Sequence, residues 1–181
     1  LASSEECVEE LAWWSNCLGL SGSPFDSFQT LRGLRTLPVR FRQHQENAAA
    51  IADFLDAHAL VSKVYYPGLR NHPGHEIAAR QQSGFGAMVS FEIDASQEEI
   101  PLFLERLEHF TLAESLGGVE SLVAHPASMT HAAVPDEDQK AAGLSKQLLR
   151  LSVGIEFVDD LLIDLAEAFN AVQARRHQAV R

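Results

Sequence analysis

Arg150 is the residue whose position is hardest to explain by folding alone. It lies in the middle of an alternating run in which Leu149, Leu151 and Val153 occupy every second place, a pattern that predicts a half-buried strand. A guanidinium there needs either an anionic side chain or an open cleft that admits an anion. Two interpretations therefore remain open. Arg150 forms a salt bridge with an Asp or Glu, or it captures a ligand carboxylate through two charge-assisted hydrogen bonds, each contributing roughly 1.5–3 kcal/mol.

The segment 114–118, Glu-Ser-Leu-Gly-Gly, is the second candidate for chemistry. Glu114 and Ser115 supply a carboxylate and a hydroxyl, and Gly117 and Gly118 allow backbone N–H groups to approach a ligand closely. These groups suit a molecule shaped like an amino acid. A plain turn between two strands accounts for the same residues, so the segment alone does not decide between the two.

Histidines occur in two places where a metal site could be sought, His72 with His75 and His125 with His131. The spacing of these pairs matches none of the usual zinc patterns, and neither cysteine lies near them in the sequence. The sequence therefore predicts histidines of surface loops and no metal site.

Composition restricts the class of protein. The length of 181 residues is about that of one domain, and 14 basic against 25 acidic residues give a formal net charge of -11, which repels the phosphates of nucleic acids. No apolar run reaches the ~18 residues of a membrane span, and the first residues are acidic where a signal peptide is basic. We therefore expect a cytoplasmic protein that binds neither nucleic acid nor a membrane.

Hydrophobic periodicity predicts the elements that position these residues. A capping box at Ser3 and Glu6 predicts a helix that ends at Gly19, followed by a short helix from Pro24 and a longer one after Pro38, to about residue 58. Further helices are predicted at 75–82, 100–107, 136–143 and from 158, and strands at 61–66, 87–93, 110–113, 121–124 and 148–155. Because several strands are joined by short loops, we expect an α+β fold with a largely antiparallel sheet covered by helices.

Six stretches resemble the pyridoxal-phosphate enzymes of cysteine and methionine metabolism. The stretches occur in the same order as in the family and together span nearly the whole chain. They are residues 23–27, 31–37, 84–88, 110–122, 129–132 and 149–154. The resemblance covers the C-terminal portion of that family. It implies that residues 1–36 form the end of the large, cofactor-binding domain with its connecting helices. Residues 37–181 would form the small C-terminal domain of the aspartate-aminotransferase-like fold, fold type I.

The resemblance implies pyridoxal 5'-phosphate as the cofactor, and this chain departs from the family at the cofactor's lysine. In the family, a lysine in an upstream Ser-Ala-Thr-Lys-like stretch forms the Schiff base. The only lysines here are Lys63, Lys140 and Lys146, and none has that context. We therefore expect no catalytic residue and no activity in this segment alone. The complete enzyme is expected to be a homotetramer, with most cofactor contacts upstream.

Four residues are predicted to bind substrate because they match family positions. Arg150 matches the anchor of the substrate α-carboxylate, and Thr130 matches a hydroxyl that supports this anchor. Ser115 matches a position that contacts the substrate and the Schiff-base lysine. Glu114 matches a residue at the mouth of the cleft, which faces the distal amino group of the substrate.

The activity that the resemblance implies is trans-sulfuration by γ-replacement, in which the thiol of cysteine replaces the acyl group of an O-acylhomoserine and cystathionine is formed. Within the family, the alternatives are γ-cleavage of cystathionine and sulfhydrylation of homoserine. An alternative of another class is a non-catalytic small-domain module that binds a partner or mediates oligomerisation. Analysis of the reaction products distinguishes the three activities within the family. The intact mass and the visible absorption spectrum of the natural protein distinguish an enzyme from a non-catalytic module.

Overall fold

The computed structural model describes residues 4–179, apart from the side chains of residues 136, 140 and 179. The chain divides into two compact units, Leu1–Pro38 and Val39–Arg181. The elements, in chain order, are α1 (Glu5–Leu18), α2 (Pro24–Asp56), β1 (Val61–Tyr65), α3 (His75–Gln81), β2 (Met88–Ile93), α4 (Ile100–Arg106), β3 (Thr111–Leu112), β4 (Leu122–Ala124), α5 (Asp136–Ala141), β5 (Leu148–Ser152) and α6 (Val158–Ala179). No helix among residues 4–179 is long and apolar enough to cross a membrane.

Helix α1 is capped by a different serine from the one predicted. The Ser4 hydroxyl accepts the backbone N–H of Cys7 at 3.4 Å, whereas Ser3 lies outside the described residues. At the other end, Gly19 has φ 65°, the left-handed conformation that a glycine adopts without a clash of Cβ, and it ends the helix as predicted.

Helix α2 corrects the prediction of two helices separated at Pro38, because the structure has one helix, Pro24–Asp56, with Pro38 inside it. A proline removes one intrahelical N–H and crowds the carbonyl four residues earlier, but it leaves the other hydrogen bonds on both sides available. Downstream of it, Ala48, Ile51 and Leu55 are fully buried. This burial stabilises the C-terminal half of the helix more than its intrinsic propensity does.

The sheet has five strands in the order β1-β2-β5-β4-β3. β1 with β2, β2 with β5 and β4 with β5 are antiparallel, which confirms the predicted character, but β3 pairs with β4 in parallel. Their connection, residues 113–121, is shorter than the dozen or more residues of a usual parallel crossover. This connection is long enough because β3 has only two residues, so the chain has only a short distance to cover from the end of β3 back to the start of β4.

Strand β5 has one face in the core and one face that carries polar side chains. Leu149 and Leu151 are fully buried together with Phe91 of β2 and with Phe103 and Phe169, whose ring centroids lie 4.9 Å apart. Because side chains alternate along a strand, Arg150 and Ser152 point to the opposite face. The core therefore fixes the strand that presents the guanidinium.

An ion pair ties helix α6 to the start of α4. Arg176 donates from Nε to Glu99 Oε1 at 2.9 Å and from Nη2 to Oε2 at 3.0 Å. Arg176 and the backbone N–H of Ser96 lower the pKa of Glu99 from 4.5 to about 2. Because the folded-state pKa is depressed, the stabilisation is complete above pH 4.5 and is lost as the pH falls towards 2.

We expect Glu99→Gln to lower the free energy of unfolding by about 1 kcal/mol at pH 7, since Arg176 is partly exposed and solvent weakens the pair. The difference from wild type should shrink as the pH falls from 4.5 towards 2. Urea denaturation at several pH values measures it, with the exposed neighbour Glu98→Gln as the control. A difference independent of pH would show that the charge of Glu99 contributes nothing.

Candidate functional site

The Arg150 guanidinium is short of partners within the described part of the chain. Its strand neighbours are Ser90 of β2 and Ala124 of β4. Nη2 donates to the backbone carbonyl of Ser115 at 3.3 Å, and Nε is buried without a hydrogen-bond partner among the described residues. None of the described carboxylates forms an ion pair with it. The salt-bridge interpretation is therefore not supported there, and the positive charge can accept an anionic ligand.

The loop between β3 and β4, residues 113–121, brings Ser115 to Arg150. The contact uses the carbonyl of Ser115, so its hydroxyl is not occupied by the guanidinium. Glu114, Ser115 and Leu116 are all exposed. Glu114 precedes the contact by one residue and presents its carboxylate to solvent. The structure therefore places a cation, a hydroxyl and a carboxylate on one exposed loop and the strand beside it.

The hydroxyl of Thr130 contacts the neighbouring histidine. Its Oγ1 lies 2.8 Å from Nδ1 of His131, and the residue is exposed. Gln139 holds this segment, since its Nε2 donates to the carbonyls of His131 and Val134 at 2.8 and 2.9 Å. Support of Arg150 by the Thr130 hydroxyl stays a prediction.

The histidines make contacts of ordinary loop residues. The ring of His72 accepts the backbone N–H of Gly74 at 3.0 Å, and His75 Nδ1 lies 2.8 Å from the carbonyl of Pro67. His125 uses both ring nitrogens, towards Ser128 and the carbonyl of Lys146. Among the side chains that the structure describes, no group of three or more His, Cys, Asp or Glu is arranged to hold a metal ion.

Ser152 contacts the same loop, residues 113–121, and the sequence analysis did not predict it. Its hydroxyl accepts the backbone N–H of Gly117 at 2.8 Å, and Ser152 is buried. The far end of the loop is also attached to the residues after β5, because Ile155 N–H donates to the carbonyl of Val119 at 2.9 Å. One signal could have found Ser152: it stands two places after Arg150 in an alternating strand, and so shares its face.

Comparison with known proteins gives a consistent result. The profile of the Cys/Met metabolism PLP-dependent enzymes matches residues 1–170. The chain is 53% identical over 171 residues to the cystathionine gamma-synthase of Escherichia coli (strain K12), covering 94% of this chain and 44% of that protein. It is 49% identical over 166 residues to the cystathionine beta-lyase of Lactococcus lactis subsp. cremoris (strain MG1363), covering 92% and 43% respectively.

A solved structure has the same fold. The crystal structure of cystathionine gamma synthase from Xanthomonas oryzae pv. oryzae in complex with aminoacrylate and cysteine superposes with a TM-score of 0.86 and 60% sequence identity, covering 96% of this chain and 45% of that one. The chain thus spans about half the length of the curated relatives that it matches. Because the family profile covers nearly all of its residues, this chain belongs to the Cys/Met metabolism family of PLP-dependent enzymes.

Proposed function

We propose that this chain is the C-terminal part of a pyridoxal-phosphate enzyme that forms cystathionine from an O-acylhomoserine and cysteine by γ-replacement. The observation that carries the proposal is the Arg150 guanidinium, which has no carboxylate partner among the described residues and donates one hydrogen bond to the loop 113–121, to the carbonyl of Ser115. The substrates of this reaction are α-amino acids. Their carboxylates fit two parallel N–H donors of one guanidinium.

In this proposal, Arg150 orients the amino-acid substrate. A carboxylate held at two oxygens leaves the amino acid little freedom to rotate, so one chosen bond at Cα is aligned for cleavage. Strand β5, fixed by Leu149 and Leu151 in the core, supplies the rigid support. Pyridoxal phosphate, when bound, supplies the electron sink for the chemistry at Cα.

The described residues fit the amino-acid end of such a substrate better than the cofactor itself. Arg150, Ser115 and Glu114 offer a cation, a hydroxyl and a carboxylate. Lys63 lies on the edge strand β1, with its ammonium 4.5 Å from the centroid of the Tyr65 ring, and β2 separates β1 from β5. None of the three lysines has the Ser-Ala-Thr-Lys-like context, and the chain covers 44% of its Escherichia coli relative, so we place the Schiff-base lysine in the part of the relatives that this chain does not span.

The same proposal covers domain organisation and assembly. Residues 1–36 would belong to the end of the large domain, and residues 37–181 would form the small domain of a homotetrameric enzyme. In support, none of the residues of α1 is buried, and several large apolar side chains of the first unit, such as Trp13 and Phe28, are about 60% exposed. Such side chains are suited to cover by further protein.

Synthase activity is preferred to lyase activity because the synthase-named comparisons are the more similar ones, at 53% and 60% identity against 49–50% for the lyase-named relatives of Lactococcus lactis. The test uses the full-length holoenzyme. O-acylhomoserine with cysteine should give cystathionine rapidly, while cystathionine alone should be cleaved slowly. Rapid release of cysteine from cystathionine would indicate γ-cleavage, and release of homocysteine would indicate β-cleavage.

A colourless natural protein of this length would favour the non-catalytic module.

Glu114→Ala should weaken the use of cysteine more than that of the homoserine ester, because we place its carboxylate near the distal amino group. The residue is exposed, so we expect only about a two- to fivefold rise in KM for cysteine. Steady-state kinetics with each substrate varied in turn measures the effect. Glu120→Ala, an exposed acid of the same loop, is the control. An equal rise in KM for cysteine and for the homoserine ester would contradict the position of Glu114 near the distal amino group.

A further inference from the structure

We infer that Ser152, Ser121 and Glu156 form a hydrogen-bonded clamp, the loop clamp, that holds residues 113–121 in the conformation that presents Ser115 to Arg150. The three are positioning residues, since they act through the loop. The inference rests on the proposed function, because it concerns the same site. None of the three belongs to the predicted substrate-binding set.

Ser152 forms the first half of the loop clamp. It is 3% exposed and lies on the same face of β5 as Arg150, and its hydroxyl accepts the Gly117 N–H at 2.8 Å. Gly117 has φ 79°, a left-handed conformation, and lies two residues after Ser115. One strand therefore carries both the guanidinium and the acceptor that fixes the loop next to it.

Ser121 and Glu156 form the second half, at the other end of the loop. Ser121 is fully buried. Its backbone N–H donates to Glu156 Oε1 at 2.6 Å and its hydroxyl donates to Oε2 at 2.9 Å. The same hydroxyl accepts the N–H of Gly154 at 2.8 Å. The Ser121 hydroxyl is thus used both as donor and as acceptor, and it joins the loop to the chain just after β5.

Helix α2 fixes the base of the loop clamp. Asn47, which is buried, donates from Nδ2 to the carbonyls of Gly154 and Glu156 at 3.0 and 2.9 Å. His44 lies with Nδ1 2.7 Å from the carbonyl of Val153. A carbonyl can only accept, so Nδ1 carries the proton. Residues 153–156 therefore bind helix α2 through their backbone carbonyls, and they bind the loop through Gly154 and Glu156.

Loss of one bond in the clamp should move the substrate contacts without removing any of them. The Gly117 N–H would lose its acceptor, and the loop could then relax towards water. A shift well below 1 Å between Ser115 and Arg150 is enough to weaken the binding of an oriented substrate. A purely structural role would instead reduce the amount of folded enzyme, which lowers the apparent kcat and leaves KM unchanged.

The test compares Ser152→Ala with Ser152→Thr in the full-length holoenzyme, with the amino-acid substrate that the wild type uses best. Ser152→Ala should raise KM by up to about tenfold, the upper end of what one intramolecular hydrogen bond contributes, while kcat stays within about threefold. Ser152→Thr keeps the hydroxyl and should restore most of the KM. Ser145→Ala is the matched control, because that hydroxyl also accepts a backbone N–H beside β5, from Gln147 at 3.1 Å, but before the strand and not at the loop.

Two comparisons make the outcome decisive. If Ser152→Ala does not yield holoenzyme, Glu156→Gln is measured in its place, since the amide nitrogen that replaces one carboxylate oxygen cannot accept a bond from Ser121. A KM equal to that of Ser145→Ala overturns the loop clamp. Arg150→Ala in the same assay separates the two claims: if it raises KM and the clamp variants do not, only the clamp fails, and if it leaves KM unchanged, the proposed carboxylate anchor fails.

Discussion

Arg150→Ala in the full-length holoenzyme is expected to raise the KM for the homoserine ester by about a hundredfold or more. The substrate carboxylate would lose two charge-assisted hydrogen bonds, each worth roughly 1.5–3 kcal/mol. Arg150→Lys should give an intermediate KM, since an ammonium keeps the charge and loses the two parallel donors. Steady-state kinetics measures both variants.

The control for the Arg150 variants is Arg80→Ala, which removes an equal charge from the exposed end of α3. It should leave KM within about twofold of wild type, because solvent and salt screen an exposed charge. An unchanged KM in Arg150→Ala, or an equal rise in Arg80→Ala, would contradict the role of Arg150 as the anchor.

Gly154→Ala is expected to destabilise the protein by about 3 kcal/mol or more, since overpacking against backbone forces the chain to shift. An added Cβ would meet the carbonyl oxygen of Val119 and lie 2.7 Å from the carbonyl carbon of Glu120. Both belong to the loop that carries Ser115. The variant should therefore also raise KM in whatever holoenzyme remains folded. Chemical denaturation and steady-state kinetics measure the two effects.

Gly22→Ala is the matched control for Gly154→Ala. Among the described residues, a Cβ on Gly22 would meet only the Ser27 hydroxyl, at an ordinary contact distance of 3.6 Å. We expect its free energy of unfolding to stay within about 0.5 kcal/mol of wild type. Equal stabilities of the two variants would show that the approach of residues 119–120 to Gly154 is not tight.

The strands around the site could be predicted because their signal is local. Alternation of apolar residues placed Arg150 on the polar face of a strand, and the structure has β2 and β5 with this alternation. The helix through Pro38 could not be predicted, because proline usually marks a boundary and the burial of Ile51 that favours continuation is a tertiary effect.

The loop clamp could not be read from local patterns because its bonds join distant parts of the chain. Ser121 and Glu156 are 35 residues apart, as are Gly117 and Ser152, and no periodicity links them. The sequence could not show whether Arg150 forms an ion pair, because any of the 25 acidic residues could be the partner and contacts between distant parts of the chain leave no local pattern. Only the three-dimensional arrangement shows that none of the described ones forms an ion pair with it.

The anchoring of the substrate carboxylate by Arg150 is tested most directly by varying both partners of the contact. The affinity of the holoenzyme for an unreactive amino acid is compared with that for its carboxamide, in wild type and in Arg150→Ala. The account predicts that the amide binds at least tenfold more weakly than the acid in wild type and about equally in Arg150→Ala, because the guanidinium is the group that distinguishes them. An equal loss of affinity for the amide in both proteins would contradict it.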